Sequence, residues 1–277
     1  MGSRIVAFAP LAGAVFVIAC VGDSPDSSPA DAGSPPADSG ASSSSGNASS
    51  SSGGATDTGV DAPTPRFCET NKGKAFCADF DDATSIAMAG WDMTPTGGGG
   101  LIELVAKAAH ATIPQTTGAD ESTFALLKRN DVPLGTSHHV IFEYKLKTPP
   151  VVLSTGQVIV YSNVAVNGGA VALLQGPGGW YIGINRVDTT DASSPFGTVP
   201  QAGVLSKVVM DITFSPTAGH VKTTVDDNLT YDQNIQTMQT GSALPTSISV
   251  FVGVKQQAGH TPAAETTYDD VLLTIVQ

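Results

Sequence analysis

The sequence predicts an all-β fold, a two-sheet antiparallel sandwich occupying residues 67–277. Three observations carry it. Apolar residues alternate with polar ones in short runs, Gly, Pro, Asn and Asp punctuate those runs at strand spacing, and only two short stretches could pass for helix. A period of two marks a strand with one face buried, and a series of such strands without long helices packs best as two facing sheets.

The clearest strand is His139–Lys147, where Val140, Phe142, Tyr144 and Leu146 share a face and Glu143, Lys145 and Lys147 turn away. Val208, Met210, Ile212 and Phe214 repeat the pattern, as do Ile248, Val250, Val252 and Val254. Less strict runs lie at 101–105, 123–128, 157–166, 170–175, 180–187, 221–226 and 267–276, which makes about ten strands. The helix candidates are Ala83–Ala89 and Leu104–Ala109. No internal repeat is visible.

Residues 1–66 belong to another class of sequence. Met1 to Arg4 give a positive start and Ile5 to Ala19 an uncharged, mostly apolar run. That run is short of the roughly 20 residues that span a bilayer and has the length of a signal peptide, so residues 1–19 are expected to be removed on export. From Gly22 to Arg66 the composition is Ser, Gly, Ala, Pro, Asp and Thr, with Val60 the only large aliphatic residue. No core can form from such a segment, so 20–66 reads as a disordered linker.

The formal charge is −12, and six of the acidic residues, at 23, 26, 31, 38, 57 and 61, stand in the linker. Residues 66–277 keep 19 Asp plus Glu against 12 Lys plus Arg, a net of −7. An acidic surface without a basic run repels phosphate backbones, which excludes nucleic acid as a partner. Solubility, as a monomer, is what that charge provides. The pair His138–His139 does not read as a metal site, because neighbours on a strand face opposite ways.

Val17-Ile18-Ala19-Cys20 resembles the lipobox of bacterial lipoproteins, in which the signal peptide is cut before a cysteine that receives lipid; Ile18 is bulkier than the small residue usual there. The resemblance implies a membrane anchor at Cys20 and, since Val21 and not Asp follows, an outer-membrane lipoprotein. An ordinary cleaved signal peptide with an incidental cysteine is the other reading. Cys68 and Cys77 then remain as a pair in an exported chain, where a disulfide is favoured. Zinc is the rival for them, but no His or further Cys stands near enough to complete four ligands.

The two ends of the folded part carry a second resemblance. Phe76-Cys77-Ala78-Asp79-Phe80-Asp81-Asp82 with Trp91 after it, Ser206–Ile212 with Gly219–Asp227, and Tyr268-Asp269-Asp270-Val271-Leu272-Leu273 resemble the concanavalin A-like lectin and glucanase jelly roll, which includes laminin-G-like domains. Asp227 stands where that family has Gly. The resemblance implies that the first and last strands meet, and that Asp79, Asp81 and Asp269 could hold a structural calcium there; turn capping is the alternative use of the first two. No other cofactor is implied.

Catalysis has less support in the sequence. The family's retaining hydrolases place two carboxylates roughly 5 Å apart on one strand, as Glu-x-Asp-x-x-Glu, and no such string occurs. Lyases of the same fold use Tyr with His, Gln and Arg, for which Tyr161, Tyr181, Arg186, Gln157 and the histidines are available singly. Trp180 reads as core with Ile182 and Ile184, which leaves Tyr181 and Asn185 as the ligand-facing pair of their strand. The expectation is a lipid-anchored, non-catalytic module that binds a polysaccharide or an envelope protein. The alternatives are a diverged carbohydrate-active enzyme, a lyase or a hydrolase, and a structural surface protein.

Overall fold

The computed structural model describes residues 66–81, 83–92, 94–116, 123–186, 190–193, 198–257 and 262–277, without the side chains at 190–193 and 257. The expected signal segment, Cys20 and the linker lie outside the described residues. Those described belong to the unit Thr64–Gln277, and among them no helix is long and apolar enough to cross a membrane.

After the single-turn helix α1 (Phe67–Thr70) the chain is strand almost throughout: β1 (Phe76–Ala78), β2 (Thr96–Gly97), β3 (Leu101–Val105), β4 (Ala108–Ile113), β5 (Phe124–Pro133), β6 (His139–Lys147), β7 (Val158–Val166), β8 (Gly169–Gly176), β9 (Gly179–Arg186), β10 (Thr190–Ser193), β11 (Ser206–Thr213), β12 (His220–Val225), β13 (Asn228–Asn234), β14 (Ser247–Gln257) and β15 (Ala264–Val276). An eight-stranded sheet runs β13-β12-β11-β6-β15-β4-β3, with β1 also on β15; a seven-stranded sheet runs β10-β9-β8-β7-β14-β5-β2. All pairs are antiparallel. This is the jelly-roll sandwich.

The alternating strands bury the faces their sequences predict. Val140, Phe142, Tyr144 and Leu146 are buried, as are Val208, Met210 and Ile212 from β11 with Phe214 just after it, and Ile248, Val250, Val252 and Val254 from β14. A fully buried Val, Leu, Ile or Phe contributes about 1.5–3 kcal/mol, so the two inner faces hold the sheets together. Ends meet as expected: Phe76, Cys77 and Ala78 pair with Leu273, Leu272 and Val271. Cys68 and Cys77 form a disulfide with a Cα–Cα separation of 5.7 Å, which ties α1 to β1 and, through the pairing of β1, to the last strand.

The helix expectations need correction. Only Ile86–Ala89 of the first candidate is helical, as a 3-10 turn. Leu104–Ala109 is the β3–β4 hairpin, whose turn residues Ala106 and Lys107 both have positive φ, at 50° and 63°. Such a turn normally announces itself with Asn or Gly; Ala-Lys sends the opposite local signal, and pairing of Ile102 and Leu104 with β4 overrides it. The remaining difference in strand number comes from β1, β2 and β10, too short to show a period, and from β13, in which only Tyr231 is buried.

Two buried tyrosines join the sheets. Tyr144 of β6 shares a hydrogen bond of 2.6 Å with Ser162 of β7. The Tyr268 hydroxyl of β15 lies 2.6 Å from the Tyr161 carbonyl and 2.7 Å from that of Gly253, both in the opposite sheet. Register between β7 and β14 shifts between Val252 and Lys255 at this level, and a bulge leaves backbone groups without ladder partners. The Tyr268 hydroxyl supplies the missing donor, and burial raises its phenol well above the ordinary tyrosine range.

Candidate functional site on the outer face of the seven-stranded sheet

Strand register defines the surface on the far side of that bulge. One row across the strands reads Tyr181, Leu174, Val160, Lys255 and Phe124. The next reads Gly183, Ala172, Asn163, Phe251 and Lys128, and beyond it stand Asn185, Ala170, Ala165 and Ser249. Val160, Leu126 and Ala170 point away from the core, yet they are only 8 %, 9 % and 5 % exposed, so this outer face is recessed.

Two polar groups on it are under electrostatic tension. Burial disfavours the charged form of Lys255 and pushes its ammonium below the ordinary lysine range. The Asn163 Oδ1 atom is buried and has no hydrogen-bond partner among the described residues. A buried acceptor without a donor costs free energy, and a ligand hydroxyl would recover it. Strands β7, β8, β9 and β14 contain no Asp or Glu at all. On β5 the one carboxylate, Asp131, stands at the bulge at the strand's end.

Tyr181 and Asn185 do share this face. The Tyr181 ring lies over the β8–β9 turn, so close that a Cβ at Gly178 would stand 2.1 Å from its hydroxyl oxygen. The glycines of that turn make room for the ring. Trp180 is core, with its ring centroid 4.9 Å from that of Tyr161.

The other lyase candidates are not brought together. Tyr161 is buried, donates to Gln175 Oε1 at 3.0 Å, and burial raises its phenol, which suits it to packing and not to proton transfer. Gln157 accepts from the Ser154 amide at 2.6 Å and closes its own loop. The described histidines all belong to the other sheet or its approach: His139 pairs with Asp211, His220 with Asp232 at 2.8 Å and His110 with Glu265 at 3.6 Å. The Nδ1 atom of the half-buried His138 is itself buried and has no hydrogen-bond partner among the described residues.

The calcium expectation meets a lysine. Lys145 pairs with Asp270, and Asp81 and Asp269 lie close enough to raise the Lys145 pKa further. Asp79 accepts the Asp81 amide at 2.9 Å, a turn cap. Among the described residues no three His, Cys, Asp or Glu side chains converge as metal ligands. The Lys145 ammonium stands among Asp81, Asp269 and Asp270, and Lys107 lies 3.7 Å from Asp81. A hollow beside the disulfide, lined by Arg66, Glu69, Lys72, Asp79 and Met88, balances two cations against two carboxylates and gathers no reactive group.

The residues missed by sequence reasoning are Lys255, Asn163, Lys128 and Phe251. The signal for Lys255 was present: it is the only charge in the run Ile248–Gln257.

No family model and no curated protein matches this sequence. Solved structures do match. An endo-β-1,4-glucuronan lyase from the fungus Trichoderma reesei is 14 % identical, with 73 % of this chain and 96 % of that chain covered and a TM-score of 0.55. An alginate lyase is 11 % identical over 73 % of this chain and 97 % of that one, with a TM-score of 0.48. An endo-1,3-β-glucanase from Streptomyces sioyaensis is 15 % identical over 72 % and 95 %, with a TM-score of 0.47. At these identities the likeness is one of fold. The expectation of a non-catalytic binding module is corrected to this extent: the neighbour with the TM-score of 0.55 is a polysaccharide lyase, so the fold is one that an enzyme uses.

Proposed function

We propose that this protein is a carbohydrate-active enzyme that cleaves an acidic polysaccharide by β-elimination on the outer face of its seven-stranded sheet. The charge pattern carries the reading. In a chain of formal charge −12, this face presents Lys255 and Lys128, while β7, β8, β9 and β14 offer no carboxylate. A hydrolase of this architecture needs two carboxylates, and an elimination needs none.

Elimination at a uronate removes the proton at C5, moves that electron pair into a C4=C5 double bond, and breaks the bond from C4 to the glycosidic oxygen, which takes up a proton. The C5 proton is acidic enough only when a cation neutralises the adjoining carboxylate. Lys128 supplies that cation. Lys255, whose neutral amine burial favours, takes the C5 proton and returns it to the leaving oxygen. The Asn163 carbonyl oxygen accepts from a sugar hydroxyl, and Phe251, between Asn163 and Lys128 in the register, offers a ring face to the sugar. The fold in common with a glucuronan lyase supports the same substrate class.

Incubation with polyuronates and with neutral glucans tests it. Ultraviolet absorbance of the unsaturated uronate is expected to rise on a polyuronate, and Lys255→Ala is expected to lower kcat on the order of 100-fold or more. No turnover of any polyuronate, or cleavage of a neutral glucan without unsaturated product, would overturn the reading.

A further inference from the structure

We infer that the polysaccharide this face takes is partially O-acetylated. The inference rests on the proposed elimination and adds the substituent. Hydrogen-bonding groups on this face stand apart from one another, and between Tyr181 at one end and Phe124 at the other the row through Lys255 has no other. The row that holds Lys255 continues as Leu174 and Val160 on one side and Phe124 on the other, with Leu126 between that row and Lys128.

An unmodified uronan carries free hydroxyls along both edges of each ring. Laid against Leu174, Val160 and Phe124, those hydroxyls would leave water and find no partner, which opposes binding. An acetyl ester replaces a hydroxyl donor with a methyl group, and the methyl group gains by burial against the same side chains. Esterification leaves the carboxylate intact, so attraction to Lys128 persists. Asn163 sets the limit on acetylation. Its buried Oδ1 atom lacks a donor, and an ester has none to give, so one hydroxyl opposite Asn163 stays free. The pattern therefore fits a chain acetylated at some positions and not at all.

The measurement compares kcat/KM of the full chain on an O-acetylated polyuronate and on the same polymer after mild alkaline de-esterification. One buried methyl group is worth roughly tenfold in discrimination, so de-esterification is expected to lower kcat/KM about tenfold. Val160→Thr, which puts a hydroxyl in the apolar row at nearly constant volume, is expected to shrink that ratio toward one. Equal or faster elimination of the de-esterified polymer would overturn the inference and leave the elimination standing. Elimination of neither polymer, nor of any other polyuronate, would remove the reading on which it rests.

Discussion

At the scale of single residues, Asp269 shows how an environment can work against a charge. Burial is the main cause that raises its pKa to about 6, above the ordinary aspartate range, with repulsion from Asp270 adding to it; the Asp270 amide and Lys145 pull the other way. A carboxyl whose folded pKa lies above its unfolded one stabilises the fold below the unfolded value, and that contribution is lost as pH rises through about 6. Asp269→Asn keeps the side-chain oxygen that the Asp270 amide needs and removes the charge. Discounted for the partial exposure of the group, the gain is about 1 kcal/mol at pH 8. Thermal melts should show it at pH 8 and lose it near pH 4. A gain that is independent of pH would assign the effect to something other than charge. The sequence marks Asp269 as special through its position at the end of the chain, but its neighbour Lys145 lies on another strand, and no local pattern joins them.

Among the elements, the paired strands β7 and β14 decide the most. Their register shift seats Lys255 and Asn163 on the outer face while Tyr268 reaches the same bulge from inside. Gly253 belongs to it: φ is 145°, and a Cβ there would stand 2.2 Å from the Ala125 carbonyl oxygen. Tyr268→Phe removes the donor and leaves two buried carbonyls unpaired, at a cost of about 1–3 kcal/mol. For a domain of this size that lowers Tm by roughly 2–4 °C per kcal/mol. An unchanged Tm would mean that the bulge carbonyls are satisfied without the tyrosine. Val140, Phe142, Tyr144 and Leu146 were legible because each strand states its own period of two. The bulge was not, because a register shift belongs to two strands at once and neither sequence records it. The Ala106–Lys107 turn was misread for the related reason that pairing, and not turn chemistry, fixes it.

On the scale of the whole molecule, charge is sorted by sheet. The eight-stranded sheet pairs its outward charges, Lys145 with Asp270, Lys207 with Glu143 at 3.3 Å and His139 with Asp211. The seven-stranded sheet leaves Lys128 and Lys255 without an acidic partner among the described residues. Composition alone gave only the net sign, so an acidic chain concealed a cationic face. Location is a separate matter, and we propose that a lipid on Cys20 holds the protein at a bacterial outer membrane. Metabolic labelling with a fatty-acid analogue should mark the wild-type chain and spare Cys20→Ala, which should leave the membrane fraction. A variant that stays with the membrane would sink that proposal.

The place of the last strand has a consequence for how the protein is made. β15 pairs with β1, β4 and β6 and so lies within the eight-stranded sheet, not at its edge. Until residues 264–276 emerge, β6 and β4 have no partner between them, and the sheet has a gap where its middle belongs. The eight-stranded sheet therefore closes only after residues 264–276 are in place. A chain without those thirteen residues keeps two open edges, on β6 and on β4, where the middle of the sheet belongs.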